Sequence, residues 1–317
     1  MTGLPAGACS LSTAAAGEPA YGSAAPATSW LAIEQPGPWG HDPVVDSHLD
    51  PVLGAHLRAA LARVGGRLAL LREARRHPDV RPGHRPFVAV ASAVSGRTWL
   101  LSGHVDSAEA VRDLDVEALS HGDAAAVAES VPGLSADRRP LLLVCTNGRR
   151  DVCCAVFGRP LAHDVSRQRP GQVWETSHTG GHRFSPTAVV LPWGVTLARL
   201  DSRLAVATLD AAAEGLLPRD VLSPEHDRGR SGLAPAAQAA ESTVRARIGE
   251  TSIEALETDL VPTGDQEWAA TVRHADGRHW PVQIRRGAPT GRRASACGRT
   301  PEPYTAYEVT FAEHGPH

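Results

Sequence analysis

The stretch Pro140–Gln168, PLLLVCTNGRRDVCCAVFGRPLAHDVSRQ, decides how this 317-residue chain is read. It opens on the wholly apolar run Leu141–Val144, the pattern of a strand covered on both faces. It closes on a helical pattern over 151–168, with Asp151 placed to cap it and Pro160 inside it. Between them lies CTNGRRDVCC (145–154), which holds three of the chain's five cysteines. A strand, a thiol-bearing loop and a helix in that order begin an α/β unit.

The elements on either side repeat in one order. After the helix come the strand-like runs VWETSH, TAVVLPWG and VTLARLD, then a helix at 207–217. Before the stretch, SWLAIE (29–34) reads as a strand. Leu53, His56, Leu57, Ala60, Leu61 and Val64 recur at helical spacing across 49–66, and a glycine pair stops that helix. RLALLRE, FVAVASA and TWLLSGHV, followed by a helical region at 115–130, complete a second β-α-β-β-β-α unit. The shared order, with the echo of GHRPFVAVAS (83–92) in GGHRFSPTAVVL (180–191), implies an internal duplication.

That order resembles the thioredoxin fold. Its strand leads into a cysteine loop and a proline-kinked helix, and a cis-proline turn faces the loop. Pro160 and Ser185-Pro186-Thr187 fit those places. The resemblance implies an α/β chain of two tandem thioredoxin-like halves. The first keeps Pro86 but carries Glu34 where Cys145 would fall, so it reads as a degenerate copy supporting the second. The expected division is a flexible segment at 1–27, the degenerate half at 28–136 and the cysteine-bearing half at 137–218. A linker and helix follow at 219–249, then a small β-rich appendage at 250–317. Leu233, Ala237, Ala240, Val244 and Ile248 share one face of the helix. A hairpin is expected at Ala275-Asp276-Gly277-Arg278.

Composition narrows the function. Apolar content of 42% supports packed cores, and a formal charge of −3 leaves no footprint for nucleic acid. All basic residues are arginine, which excludes a phosphate-loop lysine and a Schiff-base lysine. The N-terminus lacks the basic and apolar regions of a secretion signal, and no apolar run is long enough for a membrane span. The expectation is a cytoplasmic protein without membrane contact. There, clustered cysteines serve metals or redox chemistry more often than structural disulfides.

Partners for the thiols lie in VWETSHTGGHRF, which contains His178-Thr-Gly-Gly-His182. The glycine pair lets the backbone turn both imidazoles toward one centre beside the cysteine loop. Cys145, Cys154, His178 and His182 would then converge. Zinc accepts two Cys and two His, but small zinc modules space their cysteines more closely than these. A [2Fe-2S] cluster also accepts this mixture, as in Rieske centres, yet the paired Cys-x-His boxes of those centres are missing.

The motif C-T-x-G-x-R-D-x-C-C, then G-R-P-L-A, then W-E-x-S-H-x-G-G-H-R-F-x-P-T, resembles the sucrase/ferredoxin-like family of thioredoxin-like ferredoxins. The N-terminal C-S…G-E-P…W-L-A-I-E-Q-P-G-P-W-G and the later R-G-R-S…Q-A-A-E extend the similarity over roughly 9–249. The resemblance implies a [2Fe-2S] cofactor held by Cys145, Cys154, His178 and His182, with Cys153 as the alternative thiol and zinc as the alternative metal. Around it, Arg149, Arg150 and Arg183 read as donors to sulfur or a steering surface, Glu175 as a partner of a ligand imidazole, and Pro186 as the facing turn. Asp151 reads as a helix cap. His84 echoes His182 without a thiol partner, and Cys9 and Cys297 carry no assignment.

The function so implied is an electron carrier or redox sensor, not an enzyme, with proton-coupled reduction and an unidentified redox partner protein. A thiol–disulfide oxidoreductase built on Cys153 or Cys154, or a Cys2His2 zinc module, is the alternative. Sucrose hydrolysis, implied by the family's name, needs two carboxylates flanking a sugar, and no such pair stands out.

Overall fold

A computed structural model describes residues 4, 7–74 and 83–312. The ends of the first and last sequence segments, 1–3, 5–6 and 313–317, lie outside the described residues, as do 75–82. In the first half, α1 (Cys9–Ala15) precedes β1 (Ser29–Glu34), α2 (Pro43–Asp46) and α3 (Pro51–Arg63). Then come β2 (Gly66–Glu73), β3 (Phe87–Ser92), β4 (Trp99–His104), α4 (Val116–His121), α5 (Ala124–Ser130) and β5 (Ser135–Ala136). The second half runs β6 (Leu141–Cys145), α6 (Val152–Gln168), β7 (Val173–Thr176), β8 (Ala188–Leu191), β9 (Val195–Leu197) and α7 (Ser202–Ala213).

β1 and β6 are buried at every position, which is why their sequences run apolar without alternation. Successive side chains still point to opposite faces. Leu142 and Val144 join the core under α6 and α7, and Leu31 and Ile33 the core under α3. Trp30, Ala32, Leu141 and Leu143 form a third core on the other face, shared by both halves. Asp50 caps α3 by accepting from the Val52 and Leu53 amides at 2.9 Å. That helix then buries Leu53, Leu57 and Leu61, each contributing about 1.5–3 kcal/mol.

With β10 (Asp227–Arg230) these strands make one ten-stranded sheet, ordered β10-β9-β8-β6-β7-β2-β1-β3-β4-β5. Counted inward from either edge of the sheet, past β10 or β5, each half places its strands fourth, third, first, second. The first two strands are parallel and the third is antiparallel to both neighbours. The halves meet where β2 pairs antiparallel with β7, through Leu71–Thr176, Arg72–Glu175 and Glu73–Trp174. The fold is mixed α/β, as expected.

Several local expectations are corrected. The segment read as flexible, 1–27, contains α1, and Cys9 is fully buried. Residues 20–27 lie along β10, with the Ser23 and Ala24 amides bonded to the Arg228 carbonyl and Ala27 to that of Ser231. The helix at 115–130 is broken into α4 and α5, because Gly122 terminates the first at φ 74° and Asp123 caps the second. The helix expected from 207 begins at Ser202, where Asp201 accepts from the Leu204 amide at 2.7 Å. Part of the expected linker after 218 is β10.

The C-terminal region carries α8 (Pro235–Ile248) and a four-stranded antiparallel sheet, β11 (Leu256–Gly264), β12 (Glu267–His274), β13 (His279–Arg286) and β16 (Tyr307–Phe311). The 275–278 turn joins β12 to β13. Ala236, Ala240 and Val244 of α8 pack on Leu256, Val272, Val282 and Ile284. Between β13 and β16, the short pair β14 (Arg292–Arg293) and β15 (Glu302–Pro303) carries Cys297 in its loop.

Candidate metal centre

β6 delivers Cys145 to its end, held by a bond from its amide to the Thr187 carbonyl at 3.0 Å. The chain turns through Thr146–Arg150, and Asp151 accepts from the Cys153 amide at 2.8 Å, which starts α6 and sets Cys154 in its first turn. Gly158 lets that helix sit directly on the strand: a β-carbon there would come 2.3 Å from the Cys145 carbonyl oxygen. The Ser185–Pro186 peptide is cis, and the Ser185 hydroxyl bonds the Cys153 carbonyl at 3.0 Å, fixing that turn against the helix.

The structure brings Cys145, Cys154, His178 and His182 together. Cys154 Sγ lies 3.8 Å from His182 Nδ1. The His178 and His182 rings stack with centroids 4.4 Å apart, because Gly180 and Gly181 both take positive φ (88° and 73°). The two thiols are 1% exposed, while the histidines are half-buried.

These groups are electrostatically coupled. The bond from the Cys154 thiol holds Cys145 well below the usual thiol range, and His178 adds to it against the opposing effect of burial. Cys154 is pushed up by Cys145 and then by burial, so one proton serves the pair. Burial, then His178, pushes His182 down to about 4, which keeps it a neutral donor at neutral pH.

Two arginines missed by the sequence reading, one of them fully buried, frame this set. Arg228, fully buried, donates to the Gly180 carbonyl at 3.1 Å and to Ser23, and burial pushes it down to about 9. Arg67 reaches the His178 carbonyl at 3.5 Å. Arg228 sits inside the R-G-R-S motif, which was the available signal. A cleft of about 250 Å³ opens beside His178 and is lined in part by His41, Arg58, Arg67 and Arg150.

The other expected neighbours fall differently. Arg150 bonds the His41 ring at 3.2 Å at the cleft mouth. Glu175 is engaged by Arg72 at 2.6 Å and by Thr146 at 2.7 Å instead of a ligand imidazole. Arg183 pairs with Glu18 at 2.7 Å and so anchors the N-terminal segment, not a sulfur. Glu34, at the end of β1, accepts from the Phe87 amide at 2.9 Å and pairs with His84 at 3.3 Å.

Cys153 turns away from this set. It gathers with Cys9, Asp151 and Cys297 into a group that could hold a metal ion, one atom of each lying within 4.8 Å of the others. Contact with Cys9 brings Cys153 down to about 6.

This is an α/β protein whose cysteine loop is furnished with side chains suited to metal. The chain belongs to the sucrase/ferredoxin-like family, whose model matches residues 20–215, more than half its length. Comparison with curated proteins and with solved structures gave no match.

Proposed function

We infer that this protein is a one-electron carrier or redox sensor that holds a [2Fe-2S] cluster through Cys145, Cys154, His178 and His182. The observation that carries the reading is the convergence of these four side chains at the end of β6. The fit is chemical as well as spatial, with buried sulfur donors on one side and imidazoles on the other. Asn147 Nδ2, buried in the loop between the cysteines, has no acceptor among the described residues and suits a sulfur nearby. The strand order of each half and the cis Pro186 support a thioredoxin-like frame. Cys153 and Cys154 face different partners, which speaks against a dithiol working between them.

Bound there, the cluster would supply one-electron chemistry. The chain's part is to bury the thiolates, balance them with Arg67 and Arg228, and leave the imidazoles toward solvent. Replacing two thiolates by neutral imidazoles lowers the site's negative charge and favours reduction, placing the potential in a range of about −150 to +300 mV. The basic residues of the cleft beside His178 suit an acidic redox partner.

Protein purified without oxygen is expected to be red-brown, with about two irons and two sulfides per chain. Colourless protein with stoichiometric zinc bound by Cys145 and Cys154 would sink the reading. The midpoint potential is expected to fall by about 59 mV per pH unit above the imidazole pKa of the oxidised form, because each electron brings one proton. A flat potentiometric titration between neutral and alkaline pH would remove the proton coupling.

A further inference from the structure

The five cysteines divide into two sets on different faces of one helical turn. Cys154 belongs to the set just described. Cys153, about 100° around α6 from it, faces Cys9 at the start of α1 and Cys297 in the β14–β15 loop. We propose that Cys9, Cys153, Cys297 and Asp151 form a second, mononuclear site for zinc, which clips the amino-terminal helix and the C-terminal loop onto α6.

The distances suit one tetrahedral ion. With zinc–sulfur bonds of about 2.3 Å, the sulfur–sulfur edges of such a site are about 3.8 Å and its sulfur–oxygen edges about 3.6 Å. The three sulfurs stand 3.8 Å (Cys9–Cys153), 3.6 Å (Cys9–Cys297) and 3.3 Å (Cys153–Cys297) apart. Asp151 Oδ2 is 3.5 Å from Cys9 Sγ. All three sulfur separations exceed a disulfide bond of about 2.0 Å, and a disulfide would use two sulfurs and strand the third.

The surroundings are those of a ligand set. Cys9, Cys153 and Asp151 are at most 4% exposed. Among the described residues Asp151 makes no ion pair, and a divalent cation would supply the opposite charge to this buried carboxylate. The donors are also oriented. The Cys9 amide points at Cys297 Sγ at 3.5 Å, the Cys297 amide donates to Asp151 Oδ2 at 2.7 Å, and the Cys153 amide donates to Oδ1 at 2.8 Å. Binding would release the thiol protons to solvent and form three Zn–S bonds and one Zn–O bond, with no change of oxidation state.

The proposal stands apart from the iron reading and is tested on the full chain. Metal analysis of the wild type is expected to give about one zinc per chain, whatever its iron content. Cys297→Ser, on a surface loop, and Cys153→Ser should each lose that zinc and keep any iron. Cys154→Ser should keep the zinc. Replacing zinc by cobalt in the wild type should give the visible bands of a tetrahedral thiolate complex, absent from Cys297→Ser. The proposal is overturned if zinc is absent, if it survives both the Cys9→Ser and Cys297→Ser changes, or if mass spectrometry finds a disulfide among these three cysteines.

Discussion

Cys145→Ser and Cys154→Ser proteins are expected to lose the visible absorption and the iron of the wild type almost completely, while Cys153→Ser keeps both. Serine is close in size to cysteine, so the packing of β6 and α6 around Gly158 survives the change. The hydroxyl is a poor ligand, and at these positions it cannot carry the charge that Cys145 carries beside Cys154 and His178. Cys153 makes its contacts with Cys9 and Cys297 instead, 3.8 and 3.3 Å away. The measurement is iron per chain beside a far-ultraviolet spectrum showing that each variant is folded. Equal loss of iron from Cys153→Ser and Cys154→Ser would return the adjacent thiol to the ligand set.

Glu241→Ala is expected to destabilise the protein by about 3–5 kcal/mol, the effect of removing one partner from a buried ion pair. Glu241, 3% exposed on α8, accepts from Arg230 at 2.8 and 2.7 Å and from Arg245 at 3.4 Å. Arg230 stands on β10 of the large sheet and also bonds the Leu256 carbonyl of the small one at 3.0 Å. Arg245 holds the carbonyls of Ser252 and Ile253 at 2.6 and 2.9 Å. Alanine would leave two buried guanidinium groups without their carboxylate at the junction of the two sheets. Urea unfolding of wild type, Glu241→Ala and Glu241→Gln measures the effect, and a loss below about 1 kcal/mol for alanine would show the pair to be replaceable.

The same carboxylate sets a pH dependence. Burial pushes its pKa up, but Arg230 and then Arg245 outweigh that and hold it below the ordinary value. Because the folded value is depressed, its contribution is complete above the unfolded carboxylate range and is lost as pH falls through the folded value.

The parts of the fold legible in the sequence were those whose burial leaves a local pattern. Leu141–Val144 could only be a covered strand, and the spacing of Leu53, Leu57 and Leu61 marked α3. α1 and β10 left no such pattern. Cys9–Ala15 is short and small-sided, and DRGR in β10 is polar because its arginine side chains meet Ser23, Gly180 and Glu241 within the core. The start of α7 turned on Asp201, a cap that outweighs the apparent strand before it. At the site, His178 and His182 were legible from their glycine turn and the resemblance. Arg67, Cys9 and Cys297 were not, since tertiary packing alone brings them to their partners, and Arg228 showed only as part of the R-G-R-S motif.

The seam between β2 and β7 bears on inheritance. Arg67 and Arg72 belong to the half that lacks the thiols, yet they reach His178 and Glu175 in the half that has them. Neither half can change at these positions without the other. Across relatives, the positions of Arg72 and Glu175 should change together or not at all, and a fragment cut to residues 137–218 would lose Arg67 and Arg72, which reach into it from the other half.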